Sequence, residues 1–141
     1  MSIATVERAG RLDAATGQPV AAGRTVFDAA GRSAEFYDHL RAHYRETRRT
    51  PVEIPVRINV LLEDGSLFDK GTATIRNISP SGALLGDVKI ERGVFPVSSF
   101  RFEIVMQGGA YDGIGLEARP VRFESSVRGI GVKFEEIFVA V

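Results

Sequence analysis

The sequence contains no cysteine and no tryptophan, only three lysines, and no apolar run approaching the roughly 18 residues that a membrane-spanning helix needs. Without cysteine there is no disulfide framework, no thiolate nucleophile and no Cys-containing zinc site. The opening "MSIATVERAG" lacks the basic region and long apolar core of a secretory signal, so a reducing cytoplasm is the expected setting, without membrane insertion. Net charge is missing too. Lysine plus arginine total 18 against 18 aspartate plus glutamate, so no whole-molecule positive field draws in long nucleic acid, and any anion site has to be local.

What is present suits a single globular domain: 141 residues, 44% hydrophobic and 26% charged, enough for one core and too short for two ordinary ones. The positive charge is carried by 15 arginines. Arginine offers a planar fork that matches phosphates and guanine edges, which lysine cannot imitate. GC-rich coding accounts for the same excess, so position has to decide.

Residues 1–32 hold 12 Ala or Gly and sustain no period of 2 or 3.6, which reads as a flexible or loosely attached arm. From Ser33, an expected N-cap, Phe36, Tyr37, Leu40 and Tyr44 recur at helical spacing. Residues 33–48 are therefore expected to be one amphipathic helix running into an arginine-rich junction. Its aromatic stripe packs on the domain or, in the alternative, binds a partner.

Pro51 blocks continuation of the helix. Beyond it Val52, Ile54, Val56, Ile58 and Val60 alternate with Glu53, Pro55, Arg57 and Asn59, the pattern of a half-buried antiparallel strand. Phe100, Phe102, Ile104 and Met106 repeat the rhythm. Turn signals fall at "EDGS" (63–66), "SPSG" (79–82), "GDVKIERG" (86–93), "QGGA" (107–110) and Ser125-Ser126. About six short strands over residues 49–141 predict a small all-β fold, a six-stranded antiparallel barrel, with the helix flanking it. The closing "IFVAV" reads as an apolar tail that folds back over the barrel mouth or anchors a partner.

Catalytic signatures are few. His39 and His43 lie at i and i+4, but "LRAHYR" supplies no glutamate in the zinc-protease position, and a solvated helix face fits better than a metal site. "GGAYDGIG" fits a hairpin turn rather than a dinucleotide fingerprint. Glu135 and Glu136 are adjacent in sequence and point to opposite faces of a strand, a poor arrangement for paired acid and base. No catalytic residue, metal ligand or cofactor is assigned.

The concentrated feature is "RAHYRETRRTPV", with Arg41, Arg45, Arg48 and Arg49 at the helix-to-strand junction. Guanidiniums this close repel one another, a cost easily accepted where an anion is expected. Basic residues at a helix C-terminus complement the macrodipole, which accounts for one or two of them and not for Arg49. Farther on, "NISPSG" (77–82) ends the second strand in a polar turn. If the two strands are antiparallel neighbours, the start of the first lies beside the end of the second.

Arg45-Glu-Thr-Arg-Arg49 followed by Thr-Pro-Val resembles the family pattern Arg-x-x-x-Arg, and Asn77-Ile-Ser79-Pro-Ser-Gly82 matches Asp/Asn-x-Ser-x-x-Gly. Together, in this order on a six-strand pattern, they resemble a PilZ domain, the bacterial receptor module for cyclic di-GMP. "GALL" after the second motif and "GIGVKF" at 129–134 are similar to the family too. The resemblance covers about residues 41–137. Arg41 and Arg45 also satisfy the first pattern, but the strand begins directly after Arg49. It implies a non-catalytic second-messenger sensor that signals to an effector protein.

The residues implied are Arg45 and Arg49 on phosphates and guanine edges, with Arg48 as a helper, Asn77 on a guanine edge and Ser79 on base or phosphate. Gly82 stands where a side chain would block the ligand or where φ is positive. Guanine O6 and N7 form the acceptor pair that an arginine fork binds bidentately, and phosphates take charge-assisted bonds from the same group. A PilZ-like interaction protein that binds no nucleotide is the alternative.

Overall fold

The structure, a computed structural model, describes residues 7–20, 29–44, 50–124 and 129–140. Eight elements follow in order: β1 (Arg8–Asp13), α1 (Ala29–His43), β2 (Thr50–Leu62), β3 (Leu67–Ile78), β4 (Gly82–Ile90), β5 (Phe100–Met106), β6 (Ile114–Glu124) and β7 (Gly129–Ala140). All strand pairings are antiparallel. The order β7-β4-β3-β2-β5-β6 closes through a β6–β7 pairing, giving the expected six-stranded barrel, with β1 added outside the ring.

Alternation does the work in β2 and β5. Val56, Ile58 and Val60 point inward from β2 and Phe102, Ile104 and Met106 from β5, and all are buried. Each such side chain contributes about 1.5–3 kcal/mol on leaving water. Because the strands alternate in direction, two sets of connections separate. The turn at 63–66, the β4–β5 loop, the end of β6 and the start of β7 lie at one end of the barrel. The Ser79–Ser81 turn, the β5–β6 turn and the start of β2 lie at the other.

Several expectations change. Residues 8–13 are not a loose arm. β1 pairs with β7 from Arg8↔Ala140 to Asp13↔Glu136 and buries Ala9 and Leu12 in the core. The reason is an open edge: β4 covers β7 only from Ile130 to Lys133, and β1 takes up the same edge where β4 leaves it. Gly10 allows this approach, with φ +57 and a backbone so close to Ala29 that an added Cβ would lie 2.4 Å from its carbonyl carbon.

Helix α1 begins four residues before Ser33, which is buried in its interior and is not an N-cap. Phe36 and Leu40 are buried as expected, and Tyr37 and Tyr44 pack against the core. Phe36 meets Tyr111 edge-on at 5.0 Å. The stretch 86–90, expected as a turn, is the second half of β4. Its Asp87 adopts φ +50 within the strand.

Residues 137–140 of the C-terminal apolar run are the end of β7, neither folded over the mouth nor projecting. Glu117↔Glu136 is followed by Ala118↔Phe134, so Glu135 is an extra residue, a β-bulge. The bulge resets the phase: Phe134, Ile137 and Val139 enter the core. Phe138 lies over Gly115 on the outer side.

Candidate functional site

The Asn77–Gly82 motif is a hairpin whose loop is Pro80-Ser81. The backbone N–H of Ser79 donates to Gly82 O at 2.8 Å, and neither loop residue has positive φ, so this is not the mirror-image turn that tight hairpins favour. Ser79 compensates with its side chain. Its hydroxyl accepts from the Gly82 N–H at 3.3 Å and lies 3.3 Å from the Ser81 hydroxyl, with Ser79 only 1% exposed. In this structure the hydroxyl is engaged within the turn. Gly82 is buried but not left-handed, so positive φ is not the reason for glycine there.

Asn77 sits at the end of β3, and its side-chain oxygen is buried without a hydrogen-bond partner. Such a group costs about 1–3 kcal/mol when left unpaired. Across the sheet, Thr50 pairs with Ile78 and Pro51 with Asn77. The chain therefore enters β2 directly beside the motif, as antiparallel neighbours require. Arg45, Arg48 and Arg49 lie outside the described residues, which resume at Thr50.

Cross-strand pairing extends the motif's outward row. Gly82 faces Lys133 on β7, and Lys133 faces Arg119 on β6. One step along, Asn77 faces Leu84, Leu84 faces Gly131, and Gly131 faces Arg122. Gly131 is bare so that Arg122 can lie across it, its Cγ 3.0 Å from where a Cβ would be.

Most cations here are taken. Arg76 bridges Glu53 at 2.8 Å and Asp87, Arg119 holds Glu135 at 2.6 Å, and Arg122 holds Glu124 at 3.0 Å. Lys133 is exposed and makes no ion pair among the described residues. Sequence reasoning did not single it out, although its outward place in the alternating "GVKF" is readable.

The motif also touches the edge that β1 shares. Phe134 donates its backbone N–H to Ser81 O at 2.8 Å, and the next residue, Glu135, accepts from the Ala14 N–H at 2.9 Å.

A second charged cluster lies on the outer face of β5, β6 and β7. Glu103, Glu117 and Glu136 stand side by side in register, and Arg8 reaches all three at 2.9, 2.9 and 2.6 Å. Arg11 adds a bond to Glu136 at 2.8 Å, and Asn59 donates to Glu103 at 2.9 Å. Burial alone would lower the Arg8 pKa. The charges of Glu117 and Glu103 and the bonds to Glu136 and Glu103 outweigh it and hold the guanidinium above its ordinary value.

On α1, the His39 ring stacks on His43 at 4.3 Å and tilts against Tyr111. Among the described residues no three His, Cys, Asp or Glu side chains gather as a metal site. Nor, among them, is any helix long and apolar enough to cross a membrane.

The opposite barrel end carries the exposed large apolar side chains Val94, Val97, Val121 and Phe123. They flank an open groove of about 400 Å³ lined by Phe95, Val97 and Phe123. Neither protein-family models, nor curated proteins, nor solved structures match this chain.

Proposed function

We propose that the chain is a PilZ-type sensor that binds cyclic di-GMP, changes conformation and signals to a protein partner without catalysing a reaction. The observation that carries this reading is the pairing of Thr50 with Ile78 and Pro51 with Asn77, because it joins the exit of an arginine-rich segment to the Asn-Ile-Ser-Pro-Ser-Gly turn. The ligand is a dianion with two guanines, and it needs both cationic forks and amide partners.

In this reading Arg45 and Arg49, helped by Arg48, bind phosphates and guanine edges. Asn77 uses its unpaired side-chain oxygen, which accepts from a guanine N–H. Ser79 holds the turn in shape, and Gly82 keeps side-chain bulk away from it. The signal has a short route. Ligand pulling on the Ser79–Gly82 turn acts on β7 at Phe134, one residue from where the segment after β1 is bonded, and α1 packs on both β1 and β7.

The alternative, an interaction protein of the same fold that binds no nucleotide, draws on the four exposed apolar side chains at the far end of the barrel. Calorimetric titration with cyclic di-GMP separates the two. Saturable binding that is lost in Arg45→Ala and in Arg49→Ala supports the receptor; absence of binding to the folded wild type leaves the interaction protein.

A further inference from the structure

A ligand with two phosphates offers negative charge on more than one side, and in the sequence Arg45, Arg48 and Arg49 precede β2, whose first residues pair with β3 beside the turn. On the other side the register runs from the turn outward: Gly82 opposite Lys133, then Lys133 opposite Arg119. Cross-strand partners in an antiparallel sheet share a face, and adjacent strands lie about 4.8 Å apart. Lys133 therefore stands one strand from Gly82, on the face where Gly82 presents no side chain.

The cations around the turn are not equivalent. Arg76, Arg119 and Arg122 each hold a carboxylate at or below 3.0 Å, so a ligand anion would have to compete with a partner already in place. Lys133 has no such partner among the described residues and is exposed. Its ammonium sits on a flexible four-carbon stem with rotatable donors, able to reach across a bare glycine toward the turn. Two groups without a protein partner among the described residues, the buried Asn77 side-chain oxygen and the exposed Lys133 ammonium, thus flank the first residues of β4 from opposite sides.

We infer that Lys133 is a further ligand-binding residue, the cation that receives a phosphate of the bound nucleotide from the β7 side of the turn. This rests on the cyclic di-GMP reading. Its contribution is electrostatic and solvent-exposed, so it is modest and screened by salt.

The test is calorimetry with cyclic di-GMP on wild type, Lys133→Ala, Lys133→Glu and Lys133→Arg at low and moderate salt, with Lys89→Ala as control. Lys89 is also exposed on β4 but pairs with Thr72, away from the turn. Lys133→Ala is expected to bind about tenfold more weakly, about 1.4 kcal/mol. Lys133→Glu should be weaker again, Lys133→Arg close to wild type, and the differences should shrink as salt rises. Wild-type binding with Lys133→Ala unchanged overturns the role of Lys133 and leaves the receptor reading standing. No binding by folded wild type overturns the receptor reading, and the role of Lys133 with it.

Discussion

Two charged regions on the outside of one barrel follow opposite rules. Around Arg8, every carboxylate of the Glu103–Glu117–Glu136 row is bonded to arginine within the chain, and Glu103 is fully buried. Around the Asn77–Gly82 turn, an amide oxygen and an ammonium have no partner among the described residues, although the arginines nearby are paired. Charge satisfied internally holds an element in place. Polar groups left over at a strand end are where an outside molecule has something to gain. The first region explains why β1 stays on the barrel, and the second marks the candidate site.

The sharpest way to break this contrast is Arg8→Ala. It leaves buried carboxylates without their common cation, and a loss of about 3 kcal/mol is expected in denaturant unfolding. Cyclic di-GMP affinity of the remaining folded protein should stay within about twofold, a difference of about 0.4 kcal/mol. A variant as stable as wild type would show that β1 is held by its backbone bonds and apolar contacts alone.

Asn77→Ala probes the other side. Removing a buried acceptor that has no partner relieves the cost of burying it unpaired, so stability should hold or rise, by up to about 1–3 kcal/mol. Ligand affinity should nevertheless fall about tenfold if that oxygen meets a guanine N–H, a loss of about 1.4 kcal/mol. The reverse pattern, lost stability with unchanged binding, would make Asn77 a structural residue like Arg8.

The smallest effect concerns His39, whose pKa is lowered first by partial desolvation and second by the charge of His43. Protonation is then less favourable in the folded state than in the unfolded state. Stability is therefore lost as pH falls through the ordinary histidine value of 6.5. Thermal melts from pH 7.5 to 5.5 should show a slightly shallower decline for His39→Gln than for wild type.

The barrel was readable where a strand has one wet face and one dry one. Val56, Ile58 and Val60 announce β2 because Arg57 interrupts them, and β5 repeats the device. What escaped reading has a common cause, a break in local periodicity settled by long-range pairing. β1 offers little pattern of its own, since a register shift between Ala9 and Leu12 spoils alternation, and the strand exists because β7 has an uncovered edge. The bulge at Glu135 turns the C-terminal run into a strand with both faces covered, which resembles a tail in the sequence. Asp87 looks like a turn residue because its φ is that of one, yet β4 continues through it.

At the site, the composition of the Asn77–Gly82 turn and its neighbourhood with β2 were legible, because antiparallel order alone brings them together. That Ser79 bonds back into its own turn was not legible, since the type of a hairpin depends on φ values that Pro80 and Ser81 leave open. Lys133 escaped notice because its closeness to Gly82 comes from the pairing of β4 with β7, which joins residues about fifty apart in the chain.

The most direct test of the central claim is a titration of the full chain with cyclic di-GMP, followed by amide chemical shifts and calorimetry, on wild type and on the Arg45→Ala/Arg49→Ala double variant. The account predicts saturable binding to wild type, with the largest shifts at Asn77–Gly82 and smaller ones along β7 and at Ala14. It also predicts loss of both heat and shifts in the double variant, with its fold intact. Absence of binding by wild type, or equally tight binding by the double variant, would contradict it.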